Sequence, residues 1–245
     1  MKPRTNVGKA PDAKKYRLAI FALLASATII CTGLIRLRVT LTGSMRYTFL
    51  IWNLFLAWIP FGMAYFTYIS AQRRRWLLLT LPFSVFLWLI FFPNAPYILT
   101  DFQHLGSGGS ELPIWYDVLV LIWFAFTGLF LGMISLFLMQ EVIRRAFGRW
   151  TGWGFIAGVT LLTSIGVYVG RFLRWNSWDI LRRPGGLAGL TLQYAANPSL
   201  RSIAFTFLFS IFFLFVYLLL YTFGRLLAEQ HSIENSTQPH SDLMV

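Results

Sequence analysis

The stretch 91–105, reading FFPNAPYILTDFQHL, places two prolines, an asparagine, an aspartate and a histidine at the exit of an apolar run. Neither Pro93 nor Pro96 can continue a regular helix, because each lacks an N–H and biases its predecessor away from the helical region. A short helix restarting at Pro96, with Asn94 or its neighbour near the cap, puts Tyr97, Asp101 and His104 at i, i+4 and i+7 on one face. Ile98, Phe102 and Leu105 form the adjoining apolar face. The chemistry such a face offers is proton transfer. Histidine is the side chain suited to proton transfer near neutral pH, so His104 could serve as general base or acid, oriented by Asp101 or by Asp117.

Two further motifs carry polar groups of the right kind. Trp115-Tyr116-Asp117 opens one apolar run, and Gly170-Arg171-Phe172-Leu173-Arg174-Trp175-Asn176-Ser177-Trp178-Asp179 closes another. If the helix persists through the second motif, Arg171 and Arg174 are i, i+3 neighbours and form a two-pronged cation. Arginine holds phosphate or carboxylate in fork geometry, so this pair suits an anionic group. Tyr97, Asn94, Asn176, Ser177, Trp178 and Asp179 complete the candidate substrate-binding set around it. Ser177 is a conceivable nucleophile with His104, but nothing local to NSWD activates it. Asp101, His104, Asp117 and Asp179 would suit Mg, Mn or Ca better than structural zinc. No spacing compels a metal; none is assigned, and no cofactor is identified.

The plainer readings stand beside these. Trp115, Trp175 and Trp178 read individually as interface anchors. Asp117 and Asp179 divide evenly between neutralising partners and site residues. Asn53, alone within an apolar run, reads as an interhelical hydrogen-bond partner rather than a ligand. Asp101 and His104 on a proline-broken segment lean toward function.

The elements that must position these groups are membrane spans. The chain is 57% hydrophobic and only 12% charged, against about 25% charged in soluble domains. Its net charge of +12 lies in short clusters between apolar runs, the pattern of topology signals and headgroup contacts rather than nucleic-acid binding. Six runs, 18–35, 48–69, 76–92, 115–139, 154–172 and 203–223, approach the length of about 20 residues that crosses the hydrocarbon core. The expected fold is all-α, a polytopic bundle of six spans with a Pro-broken short helix after the third. The third run is the shortest and is a candidate for extension by a re-entrant segment. Residues 1–17 read as a basic cytoplasmic tail, 18–223 as one membrane domain, and 224–245 as a polar, disordered tail containing His231 and His240. The first run exceeds a signal-peptide core and lacks a small-x-small cleavage pattern, so it reads as an uncleaved span. Cys31, the single cysteine, excludes an intrachain disulfide and reads as a small apolar residue in that span.

With the N-terminus inside, thirteen Lys/Arg fall on the cytoplasmic side and eight outside, and 93–114 carries none. The bias favours both termini cytoplasmic and all three motifs on the outer face. Gly128/Gly132, Gly154/Gly158 and Gly166/Gly170 are small-xxx-small pairs, which suggests that the fourth and fifth spans pack on each other.

The runs FPNAPY-x-x-TD-x-x-H, WYD and GRFLRWNSWD resemble those of the bacterial domain-of-unknown-function 1361 family of multi-spanning membrane proteins. The resemblance covers most of the chain between the tails. It carries over to Pro93, Asn94, Pro96, Tyr97, Asp101, His104, Tyr116, Asp117, Arg171, Arg174, Asn176, Ser177, Trp178 and Asp179. It implies a bacterial integral membrane protein, and the family has no assigned activity; the expected location is the bacterial cytoplasmic membrane.

An ion-coupled transporter places ionisable groups near mid-membrane, whereas the centres of these six runs carry none. Two readings stay open. One is an outer-face site that binds or processes an anionic lipid headgroup or lipid-linked substrate. The other is a scaffold or accessory subunit whose Asp/His/Arg cluster is a structural network. The partner common to both is the lipid bilayer; the oligomeric state stays open.

Overall fold

The computed structural model describes residues 13–71, 74–105, 112–175 and 199–237, with Gly185 and Gly189. Among the described residues the helices include α1 (Ala13–Thr42), α2 (Phe49–Ser70), α3 (Arg74–Phe91), α4 (Asn94–Tyr97), a 3₁₀ helix (Ile98–His104), α5 (Ile114–Phe147), α6 (Arg149–Phe172) and α7 (Leu200–Thr237). No strand occurs among the described residues. Among the described residues six helical segments are long and apolar enough to cross a membrane, the third running from Leu81 through His104.

Helix α5 is the centre of the bundle, in contact with α1, α2, α6, α4 and the 3₁₀ helix, while α7 packs on α6. The sequence accounts for its central place. Small or polar residues (Ala125, Thr127, Gly128, Gly132, Ser135) alternate with Leu, Met and Phe, and all are buried. A hydrogen-bonded relay ties three spans inside the apolar core. Trp88 Nε1 donates to Ser135 Oγ at 2.7 Å, and Ser135 donates to the Pro60 carbonyl at 3.0 Å. Such bonds let polar groups reside in hydrocarbon surroundings at little net cost. Just over one turn further along α5, Tyr217 of α7 donates to Gln140, and Glu141 pairs with Arg144 and Arg145.

Several boundaries differ from the expectation. Helix α1 begins at Ala13, inside the stretch read as a tail, and runs to Thr42, so Arg36 and Arg38 ride on it. Helix α5 continues to Phe147 and turns at Gly148, whose φ of 97° only glycine adopts without strain. Helix α7 continues to Thr237, so most of the segment read as disordered is helical; His240 lies outside the described residues. Length explains all three. An amphipathic or polar turn extends an existing helix cheaply, because only nucleation is costly.

The glycine expectation is corrected as well. Helices α5 and α6 do touch, but the glycine pairs serve another neighbour. A Cβ on Gly128 would lie 2.8 Å from the Ala95 carbonyl, and one on Gly132 would lie 3.2 Å from Ala95 Cβ. A Cβ on Gly166 would lie 2.8 Å from Pro93, and one on Gly170 would lie 3.2 Å from the Tyr97 ring. Nothing lies within 4 Å at Gly154 or Gly158. Two glycine grooves, one on α5 and one on α6, therefore receive the broken segment between them. Close backbone approach is what small residues supply in membranes.

Candidate functional site

The break falls where Pro93 removes a backbone donor. The last α3 bond is Phe92 N to Trp88 O at 2.8 Å, and Tyr97 N reaches Pro93 O at 3.0 Å. Helix α4 starts at Asn94 with Pro93 as its cap, two residues earlier than a restart at Pro96. Prolines fit there because first-turn N–H groups have no intrahelical acceptor. The chain then tightens into seven residues of 3₁₀ helix, a long run for that geometry. At three residues per turn, i and i+3 eclipse. Asp101 and His104 therefore share one edge, with Ile98 below them, and Tyr97 is offset from it.

Arg171, in the last turn of α6, organises that edge. Its Nε donates to Thr100 Oγ1 at 2.7 Å, its Nη1 lies 3.3 Å from His104 Nε2, and its Nη2 donates to Asp101 Oδ1. Its guanidinium carbon stands 4.2 Å from the centroid of the Tyr97 ring. A guanidinium can only donate, so in this contact His104 Nε2 can serve only as the acceptor. The other Asp101 oxygen accepts from Asn53 Nδ2 of α2 at 3.0 Å. Asp101 is fully buried, and the Arg171 side chain is 6% exposed. One cation thus bonds three residues of the broken segment and stacks on a fourth. The network is closed by mutual pairing.

Asp117 takes a different partner. Its Oδ1 accepts from Arg38 Nε at 2.9 Å in a second pair, with Arg38 1% exposed. Nη1 of Arg38 is buried with no hydrogen-bond partner among the described residues. Tyr47 joins the two pairs. Its ring centroid lies 5.1 Å from the Arg38 guanidinium and 5.0 Å from that of Arg46, and its hydroxyl donates to the His104 carbonyl at 3.2 Å. Arg46 donates to the same carbonyl at 2.9 Å, closing the end of the 3₁₀ helix. Tyr47 holds φ at 69°, a costly conformation for an aromatic residue that these contacts maintain. Burial pushes its phenol above the ordinary tyrosine range, and the Asp117 carboxylate adds to that shift.

Beside the first network lies a partly open cleft of about 90 Å³, lined by Trp52, Asn53, Leu56, Pro93, Asn94, Tyr97, Gly166, Gly170 and Trp175. Its floor is α4 and its walls are α2 and α6. Asn94 Nδ2 donates to the Phe91 carbonyl at 2.8 Å. Arg174, at φ 57°, turns the chain back at the end of α6, so that the Trp175 carbonyl approaches Gly170.

The structure brings Tyr97, Asp101, His104 and Arg171 together, with Asn94 on the adjoining cleft. The two-pronged cation is not formed, because α6 ends at Phe172 and Arg174 is exposed. Asp117 is paired with Arg38. Among the described residues no three His, Cys, Asp or Glu side chains gather as a metal site. Asn176, Ser177, Trp178 and Asp179 lie outside the described residues. Asn53 does bridge two elements, as a lone amide in a span suggests. Trp115 is exposed, as an anchor would be. Thr100, Arg38, Arg46 and Tyr47 were not legible as partners. The available signal was Arg38 itself, an arginine two residues beyond Arg36 that a longer first helix carries into the bundle.

No curated protein and no solved structure matches the chain. The family described as protein of unknown function (DUF1361) matches residues 52–219, which include the broken segment, both glycine grooves, Asn53 and Arg171. The chain is an integral, multi-pass membrane protein, and it belongs to that family.

Proposed function

We propose that the protein binds a lipid-type ligand in the cleft between α2 and α6, at the extracytoplasmic end of its bundle. The observation that supports this reading is a polar-walled cleft beside a closed ion pair, near the ends of the spans that line it. Gly166 and Gly170 line it within six residues of the end of α6 at Phe172, about 9 Å along the axis. That is the zone between hydrocarbon and headgroup. The Lys/Arg count favours cytoplasmic termini in a bacterial plasma membrane. Two of the eight opposing arginines, Arg38 and Arg171, are buried in pairs, which leaves less positive charge exposed on the outer side.

The geometry favours binding over catalysis. The His104 Nε2 lone pair already accepts from Arg171, and Asp101 already accepts from two donors. An anionic headgroup would meet Arg174 beside Trp175, because Arg171 would have to release Asp101 first. The test is delipidation of the purified full chain in neutral detergent, followed by melting with defined lipids and mass spectrometry of co-purified lipid. A lipid that raises the melting temperature of wild type and fails to do so in Trp52→Ala supports the site. A chain that no lipid stabilises, and that carries none through purification, refutes it.

The scaffold reading has its own observation, the mutual closure of both ion pairs. It predicts large stability losses in Arg171 and Asp101 variants and no ligand response. Both readings share the first outcome, so only the ligand response separates them.

A further inference from the structure

Resting on that binding reading, we infer that the group entering the cleft is uncharged and hydroxyl-bearing, the glycerol or sugar end of a lipid, and that Asp101 positions Asn53 to receive it. Arg171 donates from Nη2 to Asp101 Oδ1, so Asp101 is held as the acceptor of an ion pair. An accepting carboxylate fixes the neighbouring amide: Asn53 must turn Nδ2 toward Asp101 Oδ2. That leaves Asn53 Oδ1 and one N–H for the cleft that Asn53 lines. A hydroxyl, donor and acceptor at once, matches that residual pair. A phosphate or carboxylate offers only acceptors and would face the amide oxygen unfavourably.

The remaining walls agree. The cleft residues include no charged side chain. Trp52, Tyr97 and Trp175 present ring surfaces, which pack on the C–H faces of a polyol while the amide takes its hydroxyls. Tyr97 already has the Arg171 cation at its ring, which disfavours a second cation and argues against an ammonium headgroup. The volume of about 90 Å³ is several times what one water needs, room for a small polyol. Trp52, which lines the cleft, is 53% exposed, and an exposed face of a membrane span is open to lipid.

The experiment titrates the delipidated full-length chain in neutral detergent with glucosyl-diacylglycerol, diacylglycerol, phosphatidic acid, phosphatidylcholine and free glucose, reading melting temperature and bound lipid by native mass spectrometry. Glucosyl-diacylglycerol and diacylglycerol are expected to bind and stabilise, phosphatidic acid and phosphatidylcholine at least tenfold more weakly. Asn53→Leu and Trp52→Ala should each weaken the neutral lipids at least tenfold. Because Asn53→Leu also removes a bond to Asp101, Trp52→Ala, at an exposed position, keeps the test valid if the first variant fails to fold. Equal or tighter binding of phosphatidic acid or phosphatidylcholine overturns the hydroxyl inference while leaving the lipid reading intact. Binding of free glucose as tight as that of its lipid overturns the lipid source and keeps the hydroxyl chemistry. No response to any ligand overturns both.

Discussion

Arg171 and Asp101, seventy residues apart in sequence, form an ion pair in which the carboxylate is fully buried and the arginine 6% exposed. The pair is the bolt that holds a broken helix between two spans. Its energetics follow from burial. Two buried charges are costly apart and tolerable together, so removing one partner is far worse than removing both.

Arg171→Ala should therefore destabilise the folded chain by about 3–5 kcal/mol, whereas exposed Arg174→Ala should stay within about 0.5 kcal/mol. The double variant Asp101→Asn with Arg171→Gln should recover part of the loss. Denaturant titration in mixed micelles, following helicity, measures all three. Similar losses for Arg171 and Arg174 would contradict the pairing.

Asp117→Ala leaves Arg38 with an uncompensated buried charge. We expect it to cost about 3–5 kcal/mol, and Asp117→Leu combined with Arg38→Met to restore much of it. The same titration reads the result. A neutral Asp117→Ala would show that water or another group satisfies Arg38.

The glycine grooves predict a contrast along one helix. Gly166→Ala presses a methyl against Pro93 and Gly128→Ala presses one against the Ala95 carbonyl; each should cost about 1–3 kcal/mol. Gly158→Ala meets nothing within 4 Å and should be neutral or stabilising by up to about 1 kcal/mol. Uniform tolerance would remove the wedge.

Met45 lies 70% exposed between α1 and α2, and Trp150 lies 85% exposed where α6 begins, at the other end of the bundle. In a Cys31→Ala background, Met45→Cys should react with an impermeant thiol reagent on intact cells and Trp150→Cys only after permeabilisation. The reverse pattern would place the cleft on the cytoplasmic side.

Tyr47 gives a pH test. Burial raises its phenol pKa above the unfolded value, which is about 10. The stability tied to the neutral phenol is thus complete below about pH 10, and is lost as pH rises through the folded value. Tyr47→Phe should flatten that alkaline fall while lowering stability at neutral pH through loss of the bond to the His104 carbonyl. An unchanged alkaline limb would show that other groups govern it.

The class of the protein could be read from sequence because it depends on local quantities. Long apolar runs make spans wherever they occur, and the six were found with their ends off by a few residues or turns. Pro93 and Pro96 mark the broken segment for the same reason, since a missing N–H acts on its own turn. Asp101, His104 and Arg171 could be gathered at one end of the bundle by counting spans.

Which charge meets which, however, was a tertiary decision. Asp117 has two residue types on its side able to pair with it, His104 and arginine, and sequence distance does not choose between them. The choice came from α1 running to Thr42 and carrying Arg38 inward. The spacing of Tyr97, Asp101 and His104 was read at 3.6 residues per turn, but the chain adopts 3₁₀ pitch there, so Asp101 and His104 eclipse and Tyr97 turns toward Arg171 and the cleft. The glycine pairs announced close approach without naming the neighbour. Only the packed bundle shows that neighbour to be the broken helix, because a groove is filled by whatever element the loops and buried ion pairs bring to it.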